Sequence, residues 1–187
     1  MIYNYTSKEK NKENVMSNGH NIKCHDITMT TCHPLPHSHE KAPDFSLVDP
    51  FLDTVTLDNF QHNPLLIFSY PSIDTQTGFD NLGKIKALLK ERHATVIGVS
   101  NDLPFTLQRC IINDAIEDVV LLSDFRDHTF GKNYGVEIAD GALRGFLSSA
   151  LFILDKNHHL VYSELLTNVE NEPDYQAALT ALDHGCH

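Results

Sequence analysis

The sequence predicts an α/β domain, a central mixed sheet flanked by helices, and three observations carry that reading. Four near-continuous apolar runs of strand length, at 65–69, 95–99, 119–122 and 150–154, read as strands buried on both faces. Between and after them, apolar residues recur at three- and four-residue spacing, the pattern of helices with one buried stripe. The chain has 187 residues, 41% of them hydrophobic and 21% charged, which suffices for one sizeable core and excludes a disordered or low-complexity chain.

The elements follow in chain order. Residues 1–15 carry Lys8, Lys10 and Lys12 against Glu9 and Glu13, without an apolar segment ahead of a cleavage site, and are expected to form a disordered extension. Residues 16–42 form a histidine- and cysteine-rich N-terminal segment, and 43–187 form the α/β domain. Short runs at 44–48 and 54–57 read as added or edge strands ahead of Leu65-Leu-Ile-Phe-Ser69. Phe79, Leu82, Ile85, Leu88 and Leu89 then mark a helix over about 75–91 with Thr75 as N-cap. Thr95-Val-Ile-Gly-Val99 is the second central strand. A second helix begins at Pro104, a residue favoured at the first helical position, and carries Phe105, Cys110 and Ile111. Val119-Val-Leu-Leu122 follows, then a short run at 134–138, Ala150-Leu-Phe-Ile-Leu154, a hairpin turn holding His158 and His159, and a run at 160–164. The last helix begins at Pro173, with Tyr175, Ala178, Leu179 and Leu182 in one stripe down to about Asp183.

Charge removes several function classes. Fourteen Lys and Arg against 25 Asp and Glu give a net charge of −11, spread without a block, so a nucleic-acid partner is not expected. No run of eighteen apolar residues exists, so neither a membrane span nor export is expected, and the expected location is cytoplasmic. The unusual feature is 12 histidines beside 4 cysteines, crowded at the two ends. Cys24-His25, Cys32-His33 and His37-x-His39, with the terminal His184-x-Cys-His187, offer thiolate and imidazole ligands suited to zinc or copper. Their spacing matches no standard zinc site, and the alternative is a solvated histidine-rich loop.

Six segments then point one way. Lys41-Ala-Pro-Asp-Phe-Ser-Leu-Val-Asp49, Val55-Thr-Leu-Asp-Asn-Phe60, Pro71-Ser-Ile-Asp-Thr75, Asp102-Leu-Pro-Phe105, Tyr134-Gly-Val-Glu-Ile-Ala-Asp-Gly141 and Glu172-Pro-Asp-Tyr-Gln-Ala-Ala-Leu179 resemble the thiol peroxidase family of atypical two-cysteine peroxiredoxins, in family order over residues 41–182. The resemblance implies a thioredoxin-like fold and an N-terminal hairpin over 15–30, with Cys24 and His25 on opposite faces. It implies hydroperoxide reduction with thioredoxin as electron donor and no required cofactor. It also implies a homodimer using the helix edge near 70–79.

Against that pattern the chain departs at three positions. The family places its peroxidatic cysteine in the first turn of the helix after the Pro-Ser-Ile-Asp-Thr loop, where a helix N-terminus and an arginine stabilise the thiolate. Here Gly78 stands at that position, or a gap deletes it, and no cysteine lies between Cys32 and Cys110. The family's arginine position falls on Ser149, which carries no charge. Its resolving cysteine is displaced to Cys110, one residue out of register and about 100° around a helix. Thr75 is the family site residue still in place, as an N-cap or as a hydroxyl that contacts substrate. The expectation is an impaired or inactive peroxidase homologue. The alternatives are a redox protein using Cys110 or an N-terminal cysteine, and a zinc- or copper-binding protein.

Overall fold

A computed structural model describes residues 18–90, 92–114 and 118–185, and every count below refers to those residues. The expected extension at 1–15 and the terminal Cys186 and His187 lie outside them.

The chain opens with an antiparallel hairpin, β1 (Asn21–Cys24) and β2 (Ile27–Thr30), in which Ile22 opposes Met29. Those two side chains are buried against Ile138 and Val169, so the hairpin docks onto the domain through its own apolar pair. Backbone bonds from Lys23 to Thr167 and from Cys32 to Glu137 fasten it. Cys24 ends β1, whereas His25 sits in the turn with φ 51°, so the expected opposite-face pair on a strand is not formed.

The main sheet has seven strands. Its elements are β3 (Leu47–Val48), β4 (Thr54–Val55), β5 (Leu65–Ser69), β6 (Thr95–Ser100), β7 (Val119–Ser123), β8 (Ala150–Leu154) and β9 (Leu160–Leu165), in spatial order β4-β3-β7-β6-β5-β8-β9. β5, β6 and β7 are parallel, and β8 and β9 continue the sheet antiparallel from β5. The apolar runs are continuous because the sheet is covered twice. Leu65 and Ile67 face one core with Phe130, Tyr134 and Phe152; Leu66 and Phe68 face the other with Leu82, Ile85 and Ala178.

Helices cover both faces. They are α1 (Gln76–Leu89), α2 (Pro104–Asp114), α3 (Thr129–Asn133) and α4 (Tyr175–Gly185), with a 3₁₀ turn at Leu57–Phe60. On one face Phe130 stacks on Tyr134 at 4.3 Å between centroids, and Phe152 meets Tyr134 edge-on at 5.1 Å. The opposite face receives α1, α2 and α4.

Four expectations are corrected. The run 44–48 yields a strand only at Leu47–Val48, and 54–57 turns into the 3₁₀ segment after Val55. The run 134–138 is not a strand of the main sheet: it makes single bridges, Glu137 to Leu147 and Ile138 to Thr31, because it is the dock for the hairpin. The first helix ends at Leu89, two residues early. The second helix begins at Pro104 and carries Phe105, Cys110 and Ile111 as expected; within it Phe105 is 64% exposed while Leu107 and Cys110 are buried, since position 107, three before 110, shares its face.

Candidate functional site

The loop Pro71–Thr75 leaves β5 and turns into α1, where it carries the first-turn position that the sequence singles out. Thr75 caps the helix: its hydroxyl accepts from the Gly78 amide at 3.2 Å and donates to the Ser72 carbonyl at 2.7 Å. Gly78 is buried in that first turn. A Cβ added there would lie 2.7 Å from the Ser72 carbonyl oxygen and 2.9 Å from Thr75 Oγ1. The Ser72 backbone therefore occupies space that a side chain at 78 needs.

Asp102, at the end of β6, holds the loop in that position. Its carboxylate accepts from Ser72 Oγ at 2.7 Å, from the Ile73 amide at 2.7 Å and from Ser100 Oγ at 2.7 Å. Its carbonyl accepts from Ser123 Oγ. Three donors on one carboxylate make a charge-assisted clamp between two strands and the loop. Beside it, the Tyr70 hydroxyl is fully buried with no hydrogen-bond partner among the described residues, and burial next to the Asp102 charge pushes its pKa up. The neighbouring Ser100 hydroxyl is committed to Asp102. Neither Tyr70 nor Asp102 was singled out as a site residue from sequence. Asp102 carried a usable signal, as the acidic residue heading Asp102-Leu-Pro-Phe105; Tyr70 carried none, since an aromatic at a strand end reads as core.

The remaining sequence-derived positions do not converge on Gly78. Ser149 is buried and its hydroxyl donates to the Val169 carbonyl at 3.0 Å, so it ties the start of β8 to the 166–169 segment. Arg109 pairs with Asp74 at 2.7 Å on the exposed rim of the loop, and Arg144 is exposed. Cys110 is 2% exposed and packs in the core beneath α2 with Leu107. Cys24, Cys32 and Cys110 are in no disulfide.

The N-terminal set is spread out in the same way. Cys32 Sγ lies 3.6 Å from the Gly131 carbonyl, and His25 Nδ1 pairs with Glu170 at 2.8 Å. Burial, with Glu137 and Glu170 respectively nearby, pushes the Cys32 and Cys24 thiols up in pKa, the opposite of what a reactive thiolate needs. His33 and His37 are exposed, and His39 stands across the molecule beside the β8–β9 turn. Among the described residues, no three His, Cys, Asp or Glu side chains stand in a ready metal-holding group.

A mixed seven-stranded sheet flanked by helices, a separate N-terminal hairpin and a capped helix rising from a Pro-Ser-Ile-Asp-Thr loop define a thioredoxin-like fold of the peroxiredoxin type. The redoxin family model matches residues 37–179. The chain is 37% identical over 142 residues to the thiol peroxidase of Staphylococcus saprophyticus, covering 76% of this chain and 85% of that one. It is 35% identical over 154 residues to the thiol peroxidase of Mycobacterium tuberculosis H37Rv, covering 82% and 93%. Among solved structures, a thiol peroxidase from Chromobacterium violaceum superimposes with a TM-score of 0.84 at 28% identity, covering 88% of this chain and 96% of that one. The chain belongs to the redoxin family, within its thiol peroxidases. No helix is long and apolar enough to cross a membrane among the described residues.

Proposed function

We propose that this protein is a thiol peroxidase homologue without peroxidase turnover, its fold retained as a scaffold and pairing surface. One observation carries the reading: the first-turn position of α1 is Gly78, and the Ser72 carbonyl lies where its side chain would begin. Peroxide reduction by this family's chemistry needs a thiolate that attacks the peroxide oxygen and becomes a sulfenic acid. Thr75 and the α1 N-terminus still supply an anion-stabilising frame, yet nothing nucleophilic stands in it. Ser149, turned to Val169, supplies no positive charge in place of a guanidinium. Thioredoxin, the reductant that the resemblance implies, has no catalytic disulfide to act on in such a protein.

The test is peroxide consumption coupled to thioredoxin and its reductase, run on the wild type and on Gly78→Cys. The expected result is no turnover above buffer for the wild type and none for Gly78→Cys alone. Wild-type turnover matching an ordinary thiol peroxidase would refute the proposal. The competing redox reading needs an accessible thiolate, and the buried Cys110 and the raised thiols of Cys24 and Cys32 oppose it. A sulfenic acid trapped at one of these cysteines under low peroxide would restore that reading.

Retained pairing is the other half of the proposal. Leu103 and Phe105 are 51% and 64% exposed at the head of α2, and Arg109 links that helix to the loop through Asp74. Such apolar exposure beside the 70–79 edge suits a second copy of the chain. Light scattering is expected to give a dimer mass that Phe105→Glu reduces to the monomer; a monomeric wild type would refute it.

A further inference from the structure

The chain enters the N-terminal hairpin through Asn18-Gly19-His20, and the fold fixes the middle residue. A Cβ at Gly19 would lie 1.8 Å from the Thr31 carbonyl oxygen and 2.5 Å from its carbon, so no side chain fits there. Two bonds hold that approach: the Thr31 amide donates to the His20 carbonyl at 2.9 Å, and the His20 amide donates to Thr31 Oγ1 at 2.9 Å. Thr31 itself is buried. Position 19 is therefore glycine for a steric reason, whatever stands before it.

What stands before it is an exposed asparagine. Among the described residues, neither the Asn18 carboxamide nor the Gly19 amide enters a hydrogen bond. Nothing holds that carboxamide away from the next backbone nitrogen, and glycine offers its nitrogen with no side chain in the way. An asparagine in this position can close a five-membered ring on itself.

Elsewhere the fold opposes the same reaction. His158, after Asn157, commits its amide to the Asp155 carbonyl at 2.9 Å. Val169, after Asn168, donates to the Lys23 carbonyl at 2.9 Å, and Asn168 Oδ1 accepts from the Glu170 amide at 3.0 Å. Asn133 Nδ2 donates to the Asp44 carbonyl at 2.8 Å, and Asn63 precedes Pro64, which has no N–H. Asn171 is exposed, but Glu172 follows it, and the side chain and negative charge of that glutamate hinder its amide as a nucleophile.

We propose that Asn18 is a site of spontaneous deamidation, left open by the steric demand for glycine at position 19. The Gly19 nitrogen bonds to Asn18 Cγ and loses its proton; the Cγ–Nδ2 bond breaks, and the departing nitrogen takes up that proton and leaves as ammonia. The product is a succinimide, which water opens. Cleavage of the new Cγ–N bond gives aspartate with the backbone intact, and cleavage at the α-carbonyl gives isoaspartate with the backbone rerouted through Cβ and Cγ. No electrons are exchanged. Either product adds one negative charge to a chain already at −11. The change stays ahead of Gly19, so the hairpin keeps its dock through Ile22 and Met29. This chemistry is independent of whether the first turn of α1 supports peroxidase turnover.

The experiment incubates the full, untagged chain at physiological temperature, at mildly acidic and mildly alkaline pH, and follows its proteolytic peptides by mass spectrometry. A gain of one mass unit is expected at Asn18 before any other asparagine in residues 18–185, and faster at the alkaline pH because the attacking nitrogen must lose its proton. The isoaspartate form is expected to accept a methyl group from S-adenosylmethionine when a protein isoaspartate methyltransferase is added. Repeating the incubation in urea separates fold from sequence. Asn18 is expected to react at a similar rate folded and unfolded, whereas Asn157 and Asn168 react at least about ten-fold faster once unfolded. Asn18→Gln is expected to abolish the gain at position 18 and leave melting unchanged. The proposal is overturned by an Asn18 that stays intact, by a rate at Asn18 that rises on unfolding as those of Asn157 and Asn168 do, or by a mass gain in that peptide that persists in Asn18→Gln.

Discussion

The Thr75 hydroxyl donates to Ser72 and accepts from Gly78, so it caps α1 whether or not a nucleophile stands in the first turn. That pair of hydrogen bonds also draws the Ser72 carbonyl over Gly78, and Asp102 fixes the other side of the loop. A side chain introduced at Gly78 therefore meets the Ser72 carbonyl from its first carbon. Gly78→Cys must push backbone aside, and overpacking of this kind typically costs about 1–3 kcal/mol. Urea unfolding is expected to show that loss for Gly78→Cys and for Gly78→Ala alike, because the conflict begins at Cβ; a Gly78→Ala protein as stable as wild type would show that the loop yields freely. That residues 78 and 149 are a glycine and a serine is legible in the sequence. The carbonyl that lies against Gly78 is not, because Ser72 is neighbour to Gly78 only through the turn geometry.

Within α1 the two glycines separate a steric demand from a mere propensity. Gly83 is exposed, and a Cβ there meets nothing within 4 Å. Gly83→Ala is expected to stabilise the protein by roughly 1 kcal/mol, a rise in Tm of about 2–4 °C for a domain of this size. Calorimetry decides it, and an unchanged or lowered Tm would count against the exposed regular helix. Helices and central strands were readable from the sequence because their periodicity reports which face is covered. Phe105 shows the limit of that reading. Pro104, Phe105 and Leu107 are all apolar, and only the docking of α2 on the sheet selects Leu107 and Cys110 for the core and leaves Phe105 for solvent.

The whole molecule carries a buried acid where β7 meets α3. Asp124 is 1% exposed and accepts from the Phe130 and Gly131 amides at 3.1 and 2.7 Å. Burial raises its pKa to about 6, against the two amides and His128, which lower it, and with Glu137 adding to the rise. The folded state therefore holds a proton that the unfolded chain has released between pH ~4 and ~6. Stability from this group is present below that window and falls as pH rises through it, by something on the order of 2–3 kcal/mol. Other carboxylates act in the opposite sense, so the measurement is the difference between the wild-type and Asp124→Asn profiles. Urea midpoints from pH 4 to 7 are expected to converge or cross in the direction of relatively weaker wild type at higher pH; parallel profiles would show that Asp124 titrates normally.

By itself the sequence determined the sheet's four central strands, the three long helices, the family and the absence of any cysteine between Cys32 and Cys110. These are local properties, since burial on one or two faces is written in residue spacing and a missing sulfur is missing in any fold. Tertiary structure alone decided that the Ser72 carbonyl closes over Gly78, that Asp102 clamps the loop, and that His39, His159 and His184 share one depression while the crowded N-terminal ligands are spread apart. The first of these is set by how the loop turns into α1, whereas the others depend on strand order and helix docking, which bring Asp102 to a loop 29 positions away and His39 to the β8–β9 turn, and no periodicity along the chain encodes them.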